Sequence, residues 1–127
     1  MITTTWQAGE TPAHSSNGLA TWAADLTPQM GGSGNLPDPH DLLDSALASC
    51  TALTLQVYVR RKNVPLTGVV VEVERKETRE SYLLLRTIRL QGDLDQAQIA
   101  DLLRVANICP IHKVLSGKIA IETTVHS

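Results

Sequence analysis

Hydrophobic and polar positions change period several times along the chain, and each change marks an element. The first 27 residues are rich in Thr, Ser and Ala and are broken by turn signals at Gly9-Glu10-Thr11-Pro12 and at Ser16-Asn17-Gly18. Asn-Gly favours the positive φ angles of a tight hairpin turn, so the pattern predicts short strands near 2–8, 12–16 and 19–25. The stretch 28–37, PQMGGSGNLP, has three glycines and two prolines and reads as a surface loop. Asp38-Pro39-His40-Asp41 then makes a helix start. Asp38 suits the cap, Pro39 the first helical position, and Asp41 adds negative charge to the first turn.

From Leu42 to Val59 the residues are apolar or small on almost every face, and the helical pattern lasts until Asn63-Val64-Pro65. A helix apolar all round is buried on all sides. Interruptions at Asp44, Ser45, Ser49, Thr51, Thr54 and Gln56 leave it short of the ~20 clean apolar residues of a membrane span, so no membrane partner is expected. A chain this small cannot surround such a helix, so a second copy is expected to cover part of it. Further on, 69–75 and 82–90 alternate as strands of an antiparallel hairpin joined by the polar link 76–81. Gly92-Asp93-Leu94-Asp95 opens a second helix, with Gln96 and Gln98 placed for capping boxes and Ile99, Leu102, Leu103 and Ala106 on its apolar face. Cys109-Pro110 ends that helix, and Pro110 starts a short one through Leu115. KIAIETTV, residues 118–125, predicts a closing strand. The expected class is α+β, one domain over residues 1–127.

Composition narrows the chemistry. The chain has 127 residues and a formal charge of −2, which leaves no electrostatic footprint for nucleic acid. Its aromatic residues are Trp6, Trp22, Tyr58 and Tyr82, with no Phe, so the core must be built from Leu, Val, Ile and Ala. Two cysteines are too few for a secreted disulfide scaffold, and Met1-Ile2-Thr3-Thr4-Thr5-Trp6 lacks the basic start and apolar run of a signal peptide; a cytoplasmic location is expected.

In a reducing compartment each of the two thiols needs its own explanation. Cys50, mid-helix, reads on its own as a small buried hydrophobe. Cys109 stands at the start of a helix, where unpaired N–H groups can stabilise a thiolate. The spacing Cys109-Pro110-Ile111-His112 is a weak redox signal by itself. Of four histidines, at 14, 40, 112 and 126, only His112 lies one turn from a cysteine. Zinc ranks below redox chemistry, because Cys109/His112 is the only close ligand pair, and no metal or bound cofactor is expected. Arg60-Arg61-Lys62 is explained by the helix dipole. The G-x-S-x-G elbow, H-E-x-x-H and the Walker loop are all absent.

Several segments together resemble the OsmC/Ohr family of osmotically inducible and organic hydroperoxide resistance proteins. They are Asp38-Pro39-His40-Asp41-Leu42-Leu43, Ala48-Ser49-Cys50-Thr51-Ala52, Asn63-Val64-Pro65-Leu66, Gly92-Asp93-Leu94-Asp95 and Ala106-Asn107-Ile108-Cys109-Pro110-Ile111-His112. The resemblance implies an intertwined homodimer whose two long, buried central helices pack against antiparallel β-sheets. It also implies an antioxidant thiol peroxidase of the stress response. Cys50 would be the residue oxidised by an organic hydroperoxide, Cys109 would close a disulfide with it, and an external dithiol would reduce that bond. The family's peroxidases support the thiolate with an Arg from the N-terminal strands, whereas residues 1–59 contain no Arg. His40 falls where the family has an acidic residue, with Asp41 beside it. Ten residues of helix put His40 about 15 Å along the axis from Cys50, so support from His40 or Asp41 is expected to come from a partner's antiparallel helix. The alternative is a non-enzymatic dimer of the same fold binding a small apolar or thiol-reactive ligand. A metal-binding module using Cys50, Cys109, His112 and possibly His40 is a third, weaker alternative.

Overall fold

Turn signals and alternation translate into backbone pairing much as expected. The structure, a computed structural model, describes all 127 residues, which form two compact units, Met1–Asp44 and Ser45–Ser127. In the first unit, β1 (Thr3–Thr5), β2 (Ala13–Ser16) and β3 (Thr21–Ala24) form an antiparallel sheet in chain order. Asn17 makes the β2–β3 turn, its side-chain oxygen accepting the N–H groups of Leu19 at 2.9 Å and Ala20 at 2.8 Å. Gly18 takes the positive φ of 94° that this turn requires. The strands are shorter than the sequence pattern predicts. Their Thr- and Ser-rich faces bury little apolar surface, so pairing stops where the turns begin.

The expected loop at 28–37 contains a single 3₁₀ turn, Pro28–Met30, and is organised by Asp25. The Asp25 carboxylate accepts the Leu26 N–H at 2.8 Å, the Ser33 N–H at 3.0 Å and the Ser33 hydroxyl at 3.1 Å. These bonds, the Ser33 amide first and the Thr11 hydroxyl next, hold the carboxyl below its ordinary value of 3.8. A depressed folded pKa contributes stability that is complete above the unfolded value and lost as pH falls through the folded one. The Ser33 amide should therefore keep its bonded chemical shift down to pH values at which ordinary carboxylates are already protonated, then titrate. In Asp25→Asn that step should vanish from an NMR pH series. A Ser33 shift that titrates with the exposed aspartates would contradict this arrangement.

Helix α1 runs over Pro39–Lys62. Its start is a reciprocal cap: the Asp41 N–H donates to Asp38 Oδ1 at 2.8 Å, and the Asp38 N–H donates to Asp41 Oδ2 at 3.0 Å. Asn63 ends it in the left-handed region at φ 52°, with the Val64 N–H donating to the Val59 carbonyl at 3.2 Å. The rest of the second unit comprises β4 (Leu66–Glu77), β5 (Tyr82–Gly92), α2 (Gln96–Ala106) and α3 (Pro110–Ser116). β4 and β5 form a long antiparallel hairpin that pairs Val71 with Ile88 and Val73 with Arg86. The turn between them is closed by the Thr78 and Ser81 hydroxyls and the Thr78 N–H to Ser81 carbonyl bond. The α2 capping box uses Asp95 and Gln98, one of the two pairs anticipated.

The core of this unit is Leu55, Leu102, Val105 and Ala106, flanked by Val69, Ile88 and Leu90 from the sheet and by Tyr58 and Val59 from α1. It contains no Phe or Trp. Within the chain α1 is buried only along the stripe Leu47, Thr51 and Leu55, while Leu53 on another face is 58% exposed. One chain thus leaves other faces of the helix uncovered, as expected for a chain this small, because the hairpin and α2 supply a single apolar wall. By length and hydropathy α1 could cross a bilayer. Its packed stripe, however, belongs to the domain core.

Residues 118–125 correct the predicted last strand: they pair with nothing in the chain, and Ile121 is 85% exposed. Alternation alone does not hold a strand, since extended backbone is stabilised by a neighbouring ladder that is missing here.

Candidate active site

Cys50 lies halfway along α1 and opens onto a groove of about 710 Å³ between that helix and the α2–α3 corner. Leu53 and Val57 line one wall, Val105, Ile108, Pro110 and Ile111 the other. The Cys50 thiol is half-buried, and its sulfur lies 3.9 Å from the Thr54 hydroxyl one turn later. Arg61 and Arg104 stand among the lining residues. Arg104 is paired with Asp101, through Nε at 2.9 Å and Nη2 at 2.7 Å, and the Tyr58 hydroxyl also donates to Asp101. The Tyr58 hydrogen bond, with Arg104 second, holds the Asp101 carboxyl below its ordinary value, and the same bond pushes the Tyr58 phenol up. The groove is thus apolar around the thiol, with cationic groups as its main polar feature.

Cys109 occupies the turn between α2 and α3, and its side chain is fully buried. Its sulfur accepts the His112 N–H at 3.3 Å and lies 3.9 Å from Thr51 Oγ1. Thr51 gives its own hydroxyl proton to the Leu47 carbonyl at 2.7 Å, so the Thr51–Cys109 contact must be made by the Cys109 S–H as donor. Both cysteines are free thiols. They come together to this extent: Cys50 and Thr51 are neighbours on α1, and Thr51 touches Cys109. They face different surroundings, because Ile108 and Pro110 line the groove while the thiol between them turns inward.

A side chain that the sequence reading passed over holds this corner. Arg86 sits on the inward face of β5, in line with Leu84, Ile88 and Leu90. Its Nη1 donates to Thr51 Oγ1 at 3.0 Å and to the Ala106 carbonyl at 3.3 Å. Its Nη2 reaches Asn107 Oδ1 at 2.9 Å and His112 Nδ1 at 3.0 Å. Guanidinium is always a donor, so His112 Nδ1 accepts and the ring proton resides on Nε2. The signal was present in the alternation, since a charged residue at an inward strand position needs buried partners.

The remaining expected site residues are placed as follows. His40 and Asp41 lie in the first turn of α1, within the first unit, where Asp41 is engaged by the helix cap. Arg60, Arg61 and Lys62 form the last turn of that helix, as the dipole argument expects. No cluster of three or more His, Cys, Asp or Glu side chains could hold a metal ion. In particular, the His112 ring faces Arg86 while Cys109 takes the His112 backbone amide.

Comparison with known proteins bears on the same region. No curated protein sequence matches the chain. Among solved structures, an OsmC-like protein from Mycoplasma pneumoniae superposes with a TM-score of 0.77 at 17% identity, covering 92% of this chain and 86% of that one. An organic hydroperoxide resistance protein, OsmC, from Legionella pneumophila gives 0.65 at 19%, covering 92% and 88%. The organic hydroperoxide resistance protein OhrB of Bacillus subtilis gives 0.60 at 19%, covering 92% and 90%. At these identities the likeness establishes a shared α+β fold with three helices and two antiparallel sheets. The family model described as OsmC-like protein matches residues 32–124, a span that holds α1, the long hairpin, both later helices and both cysteines. On that match, across well over half of its length, the chain belongs to the OsmC-like protein family.

Proposed function

We propose that the protein is a thiol peroxidase that reduces organic hydroperoxides through a Cys50–Cys109 disulfide. The observation that carries this reading is a half-buried Cys50 thiol on an apolar groove, with a second free thiol, Cys109, touching the next residue of the same helix, Thr51. Structural relatives named as organic hydroperoxide resistance proteins support it. The groove would take the organic part of the peroxide. The Cys50 thiolate attacks the terminal peroxide oxygen, so that an S–O bond forms, the O–O bond breaks and the alkoxide leaves as alcohol after taking a proton. Cys109 then attacks the sulfenic sulfur, forming the S–S bond and releasing water, and an external dithiol returns the two electrons. No metal or bound cofactor enters this cycle.

The working unit is a cytoplasmic, intertwined homodimer of a single OsmC-like domain, each copy contributing its long helix to a central pair. The large apolar side chains exposed on α1 and in 118–125, among them Leu53, Val57, Ile119 and Ile121, favour a covering partner. In such a dimer the partner's His40 or the partner's Asp41 supports Cys50 across the interface.

One equivalent of cumene hydroperoxide added to reduced protein should consume both thiols and lower the mass by two hydrogens per chain, as one intramolecular disulfide. Unchanged thiols after hours would instead favour a non-enzymatic dimer binding a small apolar or thiol-reactive ligand. That second reading draws on the apolar groove and on Cys50 facing a hydroxyl rather than a cation.

A further inference from the structure

The Arg86 cluster has no place in the cycle as written, yet two of its members touch the thiol that must close the disulfide. Four acceptors on three separate elements converge on one guanidinium: Thr51 of α1, Ala106 and Asn107 at the end of α2, and His112 of α3. Cys109, with none of its surface exposed, touches two residues of that cluster, through Thr51 Oγ1 and the His112 amide. A disulfide requires Cα atoms within about 7 Å and the sulfurs in direct bond. To join Cys50, the Cys109 sulfur must leave both Thr51 Oγ1 and the His112 amide. Every one of these contacts belongs to the reduced state.

We propose that Arg86 is a positioning residue that latches the reduced Cys109 thiol inside the domain, so that disulfide closure requires the Ala106–His112 corner to come off the guanidinium. The inference rests on Cys50 and Cys109 being the redox pair. Interactions made in one state of an equilibrium favour that state by their differential strength. The latch therefore slows closure, prolongs the Cys50 sulfenic acid and makes the disulfide easier to reduce. Arg86 touches neither the groove nor Cys50 and is not assigned a part in the peroxide step. The closing step itself is balanced: Cys50 S–OH and Cys109 S–H give the S–S bond and water, with no further oxidant.

The full-length protein, Arg86→Gln and Asn107→Ala provide the test. Each is equilibrated in glutathione buffers of graded potential, and the disulfide fraction is read by mass spectrometry. Separately, the decay of the Cys50 sulfenic acid after a pulse of cumene hydroperoxide is followed by dimedone trapping. In Arg86→Gln the disulfide should be favoured about tenfold, a midpoint ~30 mV more negative for a two-electron couple, and closure should be correspondingly faster. Asn107→Ala removes one of the four acceptors and should shift both quantities in the same direction by less. A guanidinium that merely maintains local order would produce the opposite sign, because a disordered Cys109 closes more slowly and gives a less stable disulfide. That result, or no shift, overturns the latch. Should Arg86→Gln fail to fold, Asn107→Ala decides on the same criteria. A wild-type protein that forms no disulfide in any buffer would overturn the peroxidase cycle itself, whereas a normal wild-type disulfide insensitive to both substitutions would overturn the latch alone.

Discussion

Cys50→Ser should reduce peroxide turnover by on the order of 10³-fold or more, to the background of the assay's own reductant. The reason is chemical rather than steric. Serine fits the same half-buried position on α1, but a hydroxyl is not a competent nucleophile toward the O–O bond and cannot become a sulfenic acid. The helix and groove should survive, since Cys50 contributes a single weak contact to Thr54. Cys109→Ser should behave differently. It should still oxidise once, accumulate the Cys50 sulfenic acid and stop, because the condensing thiol is gone. Coupled consumption of cumene hydroperoxide with a dithiol reductant, beside stopped single-turnover samples, distinguishes the two variants. Full turnover in Cys50→Ser would reverse the assignment of roles.

The second large effect is on stability. Leu102→Ala should cost about 2–5 kcal/mol, the usual range for truncating a fully buried leucine that leaves a cavity behind. Leu102 is buried against Leu55, Val105 and Ala106, where α1 and α2 meet. An aliphatic core without Phe or Trp has few large side chains able to collapse into the gap. Urea unfolding monitored by far-ultraviolet dichroism would show the loss as a lower midpoint at similar slope. A change below about 1 kcal/mol would mean that α2 is not seated on α1 in this way. Because α2 leads directly into the Cys109 turn, the same substitution should also loosen the corner held by Arg86.

Much of the second unit was legible in the residues. Alternation in 69–75 and 82–90 marked the hairpin, Asp95 and Gln98 marked the start of α2, and Cys109-Pro110 marked the break before α3; each signal depends on residues close together in sequence. Asp41 had a local role that was harder to see. In the structure it closes a cap with Asp38. Arg86 stood in plain view within an alternating strand, but its partners come from residues 51, 106, 107 and 112, which no spacing rule connects to it. Residues 118–125 show the converse, an alternating pattern without a strand in the chain. The pattern of KIAIETTV describes a side-chain preference, whereas a strand also needs a neighbour to take its hydrogen bonds.

By itself, then, the sequence determined what is set over a few residues: caps, turns, the break at Asn63, the period of each element, and the family to which the paired cysteine segments point. Tertiary structure alone decided which face of an evenly apolar helix is packed inside the chain, and that the thiols of Cys50 and Cys109 look into different surroundings. It also decided that the cation held between Thr51 and His112 comes from β5. The physical reason is range. Helical and hairpin signals arise from bonds three or four residues apart, or between strands joined by a short turn. Burial, and the partners of a buried charge, depend on segments brought together from across the chain.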